Sequence, residues 1–184
     1  MQHNFEDLIR IFNQTFAEKF NTQLVKGGDE PYYKPASDSC SYHQIIFARG
    51  YYASALHEIA HWCIAGKERR QLEDFGYWYI PDGRNEKQQQ AFEQVEICPQ
   101  AIEWAFCVAA QKKFTVSSDN LNGCGSDSAT FKQLVQQQVF NYLSAEFPPQ
   151  AQTFINALAQ FYHTQLPLTR EHFLLDDPCY QGAM

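Results

Sequence analysis

The sequence predicts an α+β domain, a small sheet packed with several helices. Three observations point there: segments with the 3.6-residue period of amphipathic helices, a few short apolar or aromatic runs set off by glycine and proline, and a length of 184 residues, enough for one hydrophobic core. Residues 1–175 are expected to form a single domain and 176–184 a flexible tail.

Phe5, Leu8, Ile9, Phe12, Phe16 and Phe20 recur at helical spacing, so 5–20 reads as an amphipathic helix, with Asn4 as its cap and Asp7 at the position where a capping box places Glu or Gln. Gly27-Gly28-Asp29 breaks the chain, and 30–35 reads as extended. The run 43–48 (HQIIFA) predicts a strand, punctuated by Gly50. Residues 52–65 predict a helix ended by Gly66 at C′. Phe75-Gly76-Tyr77-Trp78-Tyr79-Ile80 reads as a strand closed by the turn Pro81-Asp82-Gly83. Helices are predicted at 86–97, 99–112, 128–145 and 150–163, the first two separated at Pro99, with a loop over 120–127.

Fourteen Lys and Arg against twenty-one Asp and Glu give a net charge of −7, which argues against a strongly basic nucleic-acid binder; no direct DNA binding is expected. No apolar run approaches a membrane span, and the N-terminus lacks a basic region followed by an apolar one, so no membrane association and a cytoplasmic address are expected. The six cysteines (40, 63, 98, 107, 124, 179) include no CxxC pair, and in that compartment free thiols are expected.

His57-Glu58-Ile59-Ala60-His61 matches HExxH within the 52–65 helix. Residues i and i+4 share a helix face, so two imidazoles can reach one metal ion, while Glu58, turned about 100° from His57, suits a base or an orienting carboxylate. A chance HExxH arises in about one per cent of chains of this composition. Leu56, Ile59, Ala60 and Ile64 supply an apolar back to the helix, so the expectation is a metal site on a central helix. Two histidines need a third protein ligand. Glu93 and Glu96, one turn apart, are the better candidates, since Glu96 between Val95 and Ile97 reads as partly buried and buried carboxylates need a partner or a cation. Glu103 and Glu73 are weaker options, expected to be solvated, and His3, His43, His163 and His172 are isolated in sequence. Two His and one carboxylate leave open coordination positions, the pattern of a catalytic site. Zinc there would give a hydrolase, a peptidase or ribonuclease, with Glu58 as general base; ferrous iron would give oxygen chemistry. Ligand types alone leave both open. The chain lacks the extended HExxHxxGxxH and has no Met-turn, its methionines being Met1 and Met184.

A wider pattern surrounds the motif. Phe47-Ala48-Arg49-Gly50-Tyr51-Tyr52-Ala53-Ser54-Ala55-Leu56, running into HEIAHWCIAGKERRQLEDFGYWYIPDGR (57–84), resembles the bacterial elongation factor P hydroxylase family. Lys26-Gly27-Gly28-Asp29-Glu30-Pro31, FEQVEICPQAIEWAFCVAA (92–110) and Ser118-Asp119-Asn120-Leu121 agree, so the likeness covers about Phe5 to Phe173. The resemblance implies a non-haem, metal-dependent hydroxylase, an oxidoreductase that uses molecular oxygen. Its protein substrate would be elongation factor P, hydroxylated on a lysine already carrying a β-lysyl group. It implies His57, His61 and Glu96 as ligands of a divalent metal, Fe(II) ahead of zinc, with Glu58 orienting a ligand or bound water. It also implies a fold similar to small α+β metalloproteins of the kind seen in bacterial ribosome-maturation nucleases.

Lesser features carry two readings each. Lys67-Glu68-Arg69-Arg70 reads as a docking patch for an acidic partner or, in preference, as positive charge complementing a helix C-terminus. Phe75, Tyr77, Trp78 and Tyr79, like Tyr51 and Tyr52, read as core on one face and as a channel for a lysine side chain on the other. Asp119 and Asn120 read, in preference, as caps of a following helix and, on the resemblance alone, as site residues.

Overall fold

The computed structural model describes residues 3–76, 83–117 and 128–175. Among them are five α-helices and a three-stranded sheet: α1 (Phe5–Phe20), β1 (Thr22–Lys26), β2 (Tyr32–Lys34), β3 (His43–Phe47), α2 (Tyr52–Ile64), α3 (Glu86–Ala109), α4 (Ser128–Ala145) and α5 (Pro149–Tyr162), with single 3₁₀ turns at Arg69–Gln71, Glu73–Gly76 and Arg170–Phe173. α1 and α2 pack on the sheet, and α3, α4 and α5 pack on helices. The architecture is α+β, as the sequence predicts.

α1 begins where Asn4 Oδ1 accepts the Glu6 N–H at 3.0 Å and buries Leu8, Ile11, Phe12 and Phe16. It ends at Asn21 in the left-handed region, which turns the chain into β1. β1 escaped the sequence reading because five residues with one alternating face give too little period to see. The sheet order is β1-β3-β2, with β1 parallel and β2 antiparallel to the central β3, so that Leu24 and Tyr33 both flank Ile45. β3 hands over to α2 through Arg49 (φ 49°) and Gly50 (φ 78°). A side chain at Gly50 would face both an unfavourable backbone and the Phe5 ring 3.1 Å away.

α2 sits in an aromatic nest. Trp62 is fully buried, with Phe12, Phe16 and Phe20 of α1 at ring distances of 5.3, 5.0 and 5.4 Å, while Phe154 of α5 meets Phe12, Phe16 and Phe106 of α3. The far end of α2 is not closed by a left-handed glycine. Ala65 is the C-cap, in an extended conformation, and Arg70 donates from Nε and Nη2 to the Trp62 carbonyl at 3.2 and 2.8 Å, with its guanidinium 4.3 Å above the Trp62 ring. Arg70 therefore closes a helix end; Arg69 donates to the Phe75 carbonyl at 3.1 Å. Of this basic run, Arg70 takes the helix-terminal role, by direct hydrogen bonds and stacked on Trp62 rather than as a solvated charge.

Two sequence expectations fail here. α3 is one helix from Glu86 to Ala109, not two divided at Pro99. Proline inside a helix costs about 3 kcal/mol. α3 offsets this by burying Pro99 and most residues after it against α2, α4 and α5. Its start is a capping box between Asn85 and Gln88. Phe75 does not lie in a strand: it has φ 56° in the 3₁₀ turn Glu73–Gly76. Asp74 Oδ1 accepts the Tyr33 N–H at 2.8 Å, and the Phe75 ring stacks on Tyr33 at 4.1 Å, so a side chain and a ring dock this segment on β2 in place of a backbone ladder. Phe75 is core. Tyr77, Trp78, Tyr79, Ile80, Pro81 and Asp82, the loop 120–127, Asp119 and the tail 176–184 lie outside the described residues. Tyr52 is buried and donates to the Tyr162 hydroxyl at 2.9 Å, whereas Tyr51 is exposed. Cys40, Cys63, Cys98 and Cys107 are free thiols; Cys124 and Cys179 lie outside the described residues. No helix among the described residues is long and apolar enough to cross a membrane.

Trp62→Ala should destabilise the protein by about 3–5 kcal/mol, read as a fall in the urea midpoint at unchanged m-value. Trp62→Phe should cost much less, because the indole Nε1–H is buried with no hydrogen-bond partner among the described residues and its removal relieves an unpaired donor.

Candidate metal centre

α2 and α3 pack side by side, and their polar residues meet in one place. His57 and His61, one turn apart on α2, bring their Nε2 atoms within 3.0 Å. From α3, Glu96 Oε1 lies 3.2 Å from His61 Nε2 and Oε2 lies 3.4 Å from His57 Nε2. All three donor groups lie within 4.8 Å of one another. Ligand atoms about 2.1 Å from one ion are separated by about 3.0 Å at right angles and about 3.4 Å at the tetrahedral angle. Taken to the nearer Glu96 oxygen in each case, the three separations span that interval, so the residues present fit a divalent metal with two imidazoles and a carboxylate on one side.

The Glu96 side chain is only 2% exposed. Burial alone would raise its pKa, but the adjacent His57 and His61 imidazoles overcome that and hold it at about 2. For His57, burial opposes the charged form, yet the Glu96 and Glu103 carboxylates outweigh it and push the imidazole well above its ordinary range. Without a metal ion, each group favours the charged form of the other. Gln100, one turn beyond Glu96, places Nε2 3.5 Å from Glu96 Oε2 while donating to the Ser117 carbonyl at 2.6 Å and accepting the Ser117 N–H at 3.1 Å.

Glu58 lies beside this cluster on α2 and has no hydrogen-bond partner among the described residues. Burial raises its pKa against the pull of His57 and His61, and Glu96 and Asp74 add to the rise. The raised pKa makes it a stronger proton acceptor than an ordinary carboxylate.

The remaining candidates separate cleanly. Glu93 accepts from Gln89 at 2.9 Å, one turn short of the cluster. Glu73 is exposed and accepts from the Tyr32 hydroxyl. His3 bonds the Ala110 carbonyl at 2.8 Å, His43 accepts the Ala36 N–H at 3.1 Å, and His163 and His172 are exposed; none joins the donor set. The expectation that Glu103 is solvated is wrong. It is buried, and its Oε2 lies 2.9 Å from His57 Nδ1. The available signal was that Glu103 is the lone charge in the apolar run from Ala101 to Ala110, seven residues after Glu96 and hence on the same helix face. Gln100 escaped notice for want of any motif.

The family model described as Elongation factor P hydroxylase matches residues 11–173. A curated protein of Haemophilus influenzae, the elongation factor P lysine hydroxylase, is 57% identical over 165 residues, covering 90% of this chain and 93% of that protein.

His57→Ala, His61→Ala and Glu96→Ala should each weaken retention of divalent metal by more than about 100-fold, because losing even a group that orients a ligand costs about 10–100-fold. Elemental analysis after dialysis, alongside unchanged far-ultraviolet circular dichroism, is the check.

Proposed function

The chain belongs to the elongation factor P hydroxylase family and is an enzyme that hydroxylates elongation factor P; on that premise we propose that the modified side chain is the β-lysylated lysine, that His57, His61 and Glu96 hold ferrous iron, and that Glu58 is the catalytic carboxylate beside it. One observation carries this reading: two imidazoles and a buried carboxylate converge with their donor atoms within 4.8 Å in a chain that matches the family over most of its length. Bound there, iron would supply the redox chemistry with molecular oxygen that hydroxylation requires and that zinc, which has no redox change, cannot. Three protein donors on one side leave positions open for small molecules, which suits an oxygenase better than a closed structural site.

The protein's own residues perform the rest. α2 and α3 present the donors from two helices that are both packed on the apolar core. Glu58, without a partner among the described residues, is placed to accept a hydrogen bond or a proton from a water or a substrate nitrogen. The Glu58 carboxylate, one residue after His57, suits a cationic lysine side chain by charge complementarity. The hydrolase alternative has no support from the family match, which supports the hydroxylase.

Intact-mass analysis of elongation factor P tests this. A gain of one oxygen atom on the β-lysylated lysine is expected in cells carrying this protein and is absent in cells lacking it or carrying His57→Ala. Equal masses in all three would refute the reading. Reconstitution of metal-free enzyme should restore turnover with Fe(II) and not with Zn(II). Glu58→Gln should lower turnover by about 10²–10⁴-fold while leaving metal retention near wild type, the split expected of a group that handles protons without binding the ion.

A further inference from the structure

Resting on the reading of His57, His61 and Glu96 as metal ligands, we propose that Glu103 is a positioning residue: its buried carboxylate accepts the Nδ1–H of His57 and so holds that imidazole in the tautomer and orientation that aim the Nε2 lone pair at the metal position. The contact is 2.9 Å, and the Glu103 side chain is 10% exposed. A carboxylate can only accept, so the nitrogen facing it carries the hydrogen. His57 is then left with Nε2 as its free donor, and Nε2 is the atom that faces Glu96 and His61.

The helix explains how one element supplies both a ligand and its aligner. Seven residues make 700° of turn, so Glu96 and Glu103 stand on one face of α3, separated by about 10 Å along its axis. The His57 ring is set between them, with Nε2 3.4 Å from Glu96 and Nδ1 2.9 Å from Glu103. Because it meets the opposite ring nitrogen, Glu103 is no ligand itself. Among the described residues His57 is its hydrogen-bond partner, and it stands in an otherwise apolar stretch of α3 that would favour an apolar residue unless the carboxylate had a use.

Metal affinity measured by competition against a chromophoric chelator, on metal-free wild type, Glu103→Ala, Glu103→Gln, His57→Ala and the double variant His57→Ala/Glu103→Ala, tests the proposal. Glu103→Ala should bind Zn(II) and Co(II) about 10–100-fold more weakly. Glu103→Gln keeps an oxygen that can accept Nδ1–H and should stay closer to wild type than to Glu103→Ala. In the His57→Ala background the Glu103→Ala change should add nothing, since its effect runs through His57. A folded Glu103→Ala protein with wild-type affinity, beside a weakened His57→Ala protein, would overturn the proposal alone. Equal affinity of wild type and His57→Ala would overturn the ligand assignment and this inference together. Should Glu103→Ala fail to fold, the wild-type protein still decides. Long-range ¹H–¹⁵N correlation spectra of the zinc-loaded form should show His57 protonated on Nδ1 with Nε2 bare, and protonation on Nε2 would refute the proposal.

Discussion

A carboxylate enclosed by protein must be matched by positive charge or by donors, or it is not ionised at all. Glu96 is where this chain meets that requirement, and much of the structure follows from how it does so. Two imidazoles from α2 face it, Gln100 approaches from the next turn of its own helix, and His57 is in turn faced by Glu103. For these groups to meet, α3 must continue unbroken past Pro99, because a break there would take Gln100 and Glu103 off the face that carries Glu96. The helix accepts an internal proline in exchange for a continuous polar strip on a buried surface.

The other partner, α2, is fixed from outside the site. β3 delivers its first residue through the tight Arg49–Gly50 turn, the rings of α1 and α5 enclose Trp62 and its neighbours, and Arg70 reaches back to the Trp62 carbonyl at its far end. The small sheet thus contributes no residue to the donor set; its part is to set where α2 begins. With the backbone held at both ends, the His57 and His61 side chains keep one separation, which is what a metal with short, directional bonds demands.

Geometry and family answer different questions. The donor triangle speaks of a divalent ion with room for further ligands, and that description covers hydrolases and oxygenases alike. The reaction on elongation factor P rests on the match along most of the chain. The two lines meet in residues 92–110, a stretch that carries the family likeness and folds as the part of α3 bearing Glu96, Gln100 and Glu103.

The sequence by itself determined the helices whose apolar period is long and regular, the cap at Asn4, the β3 strand and the pairing of His57 with His61, because each depends on neighbours within about four residues along the chain. Apart from the family likeness, it favoured Glu96 over Glu93 through flanking apolar residues alone, and it misjudged Glu103 and Pro99. Those outcomes depend on what lies opposite in space: burial against α2, α4 and α5 decided that α3 runs straight through its proline, and the His57 ring decided that Glu103 is a buried partner and not a solvated charge. Likewise Phe75 carries the aromatic pattern of a strand, yet docking onto Tyr33 of β2, with Asp74 taking the edge N–H, made it a turn. Local period and propensity are written in consecutive residues; the compensation of a buried charge is written in contacts between residues dozens of positions apart, and only the tertiary structure brings those together.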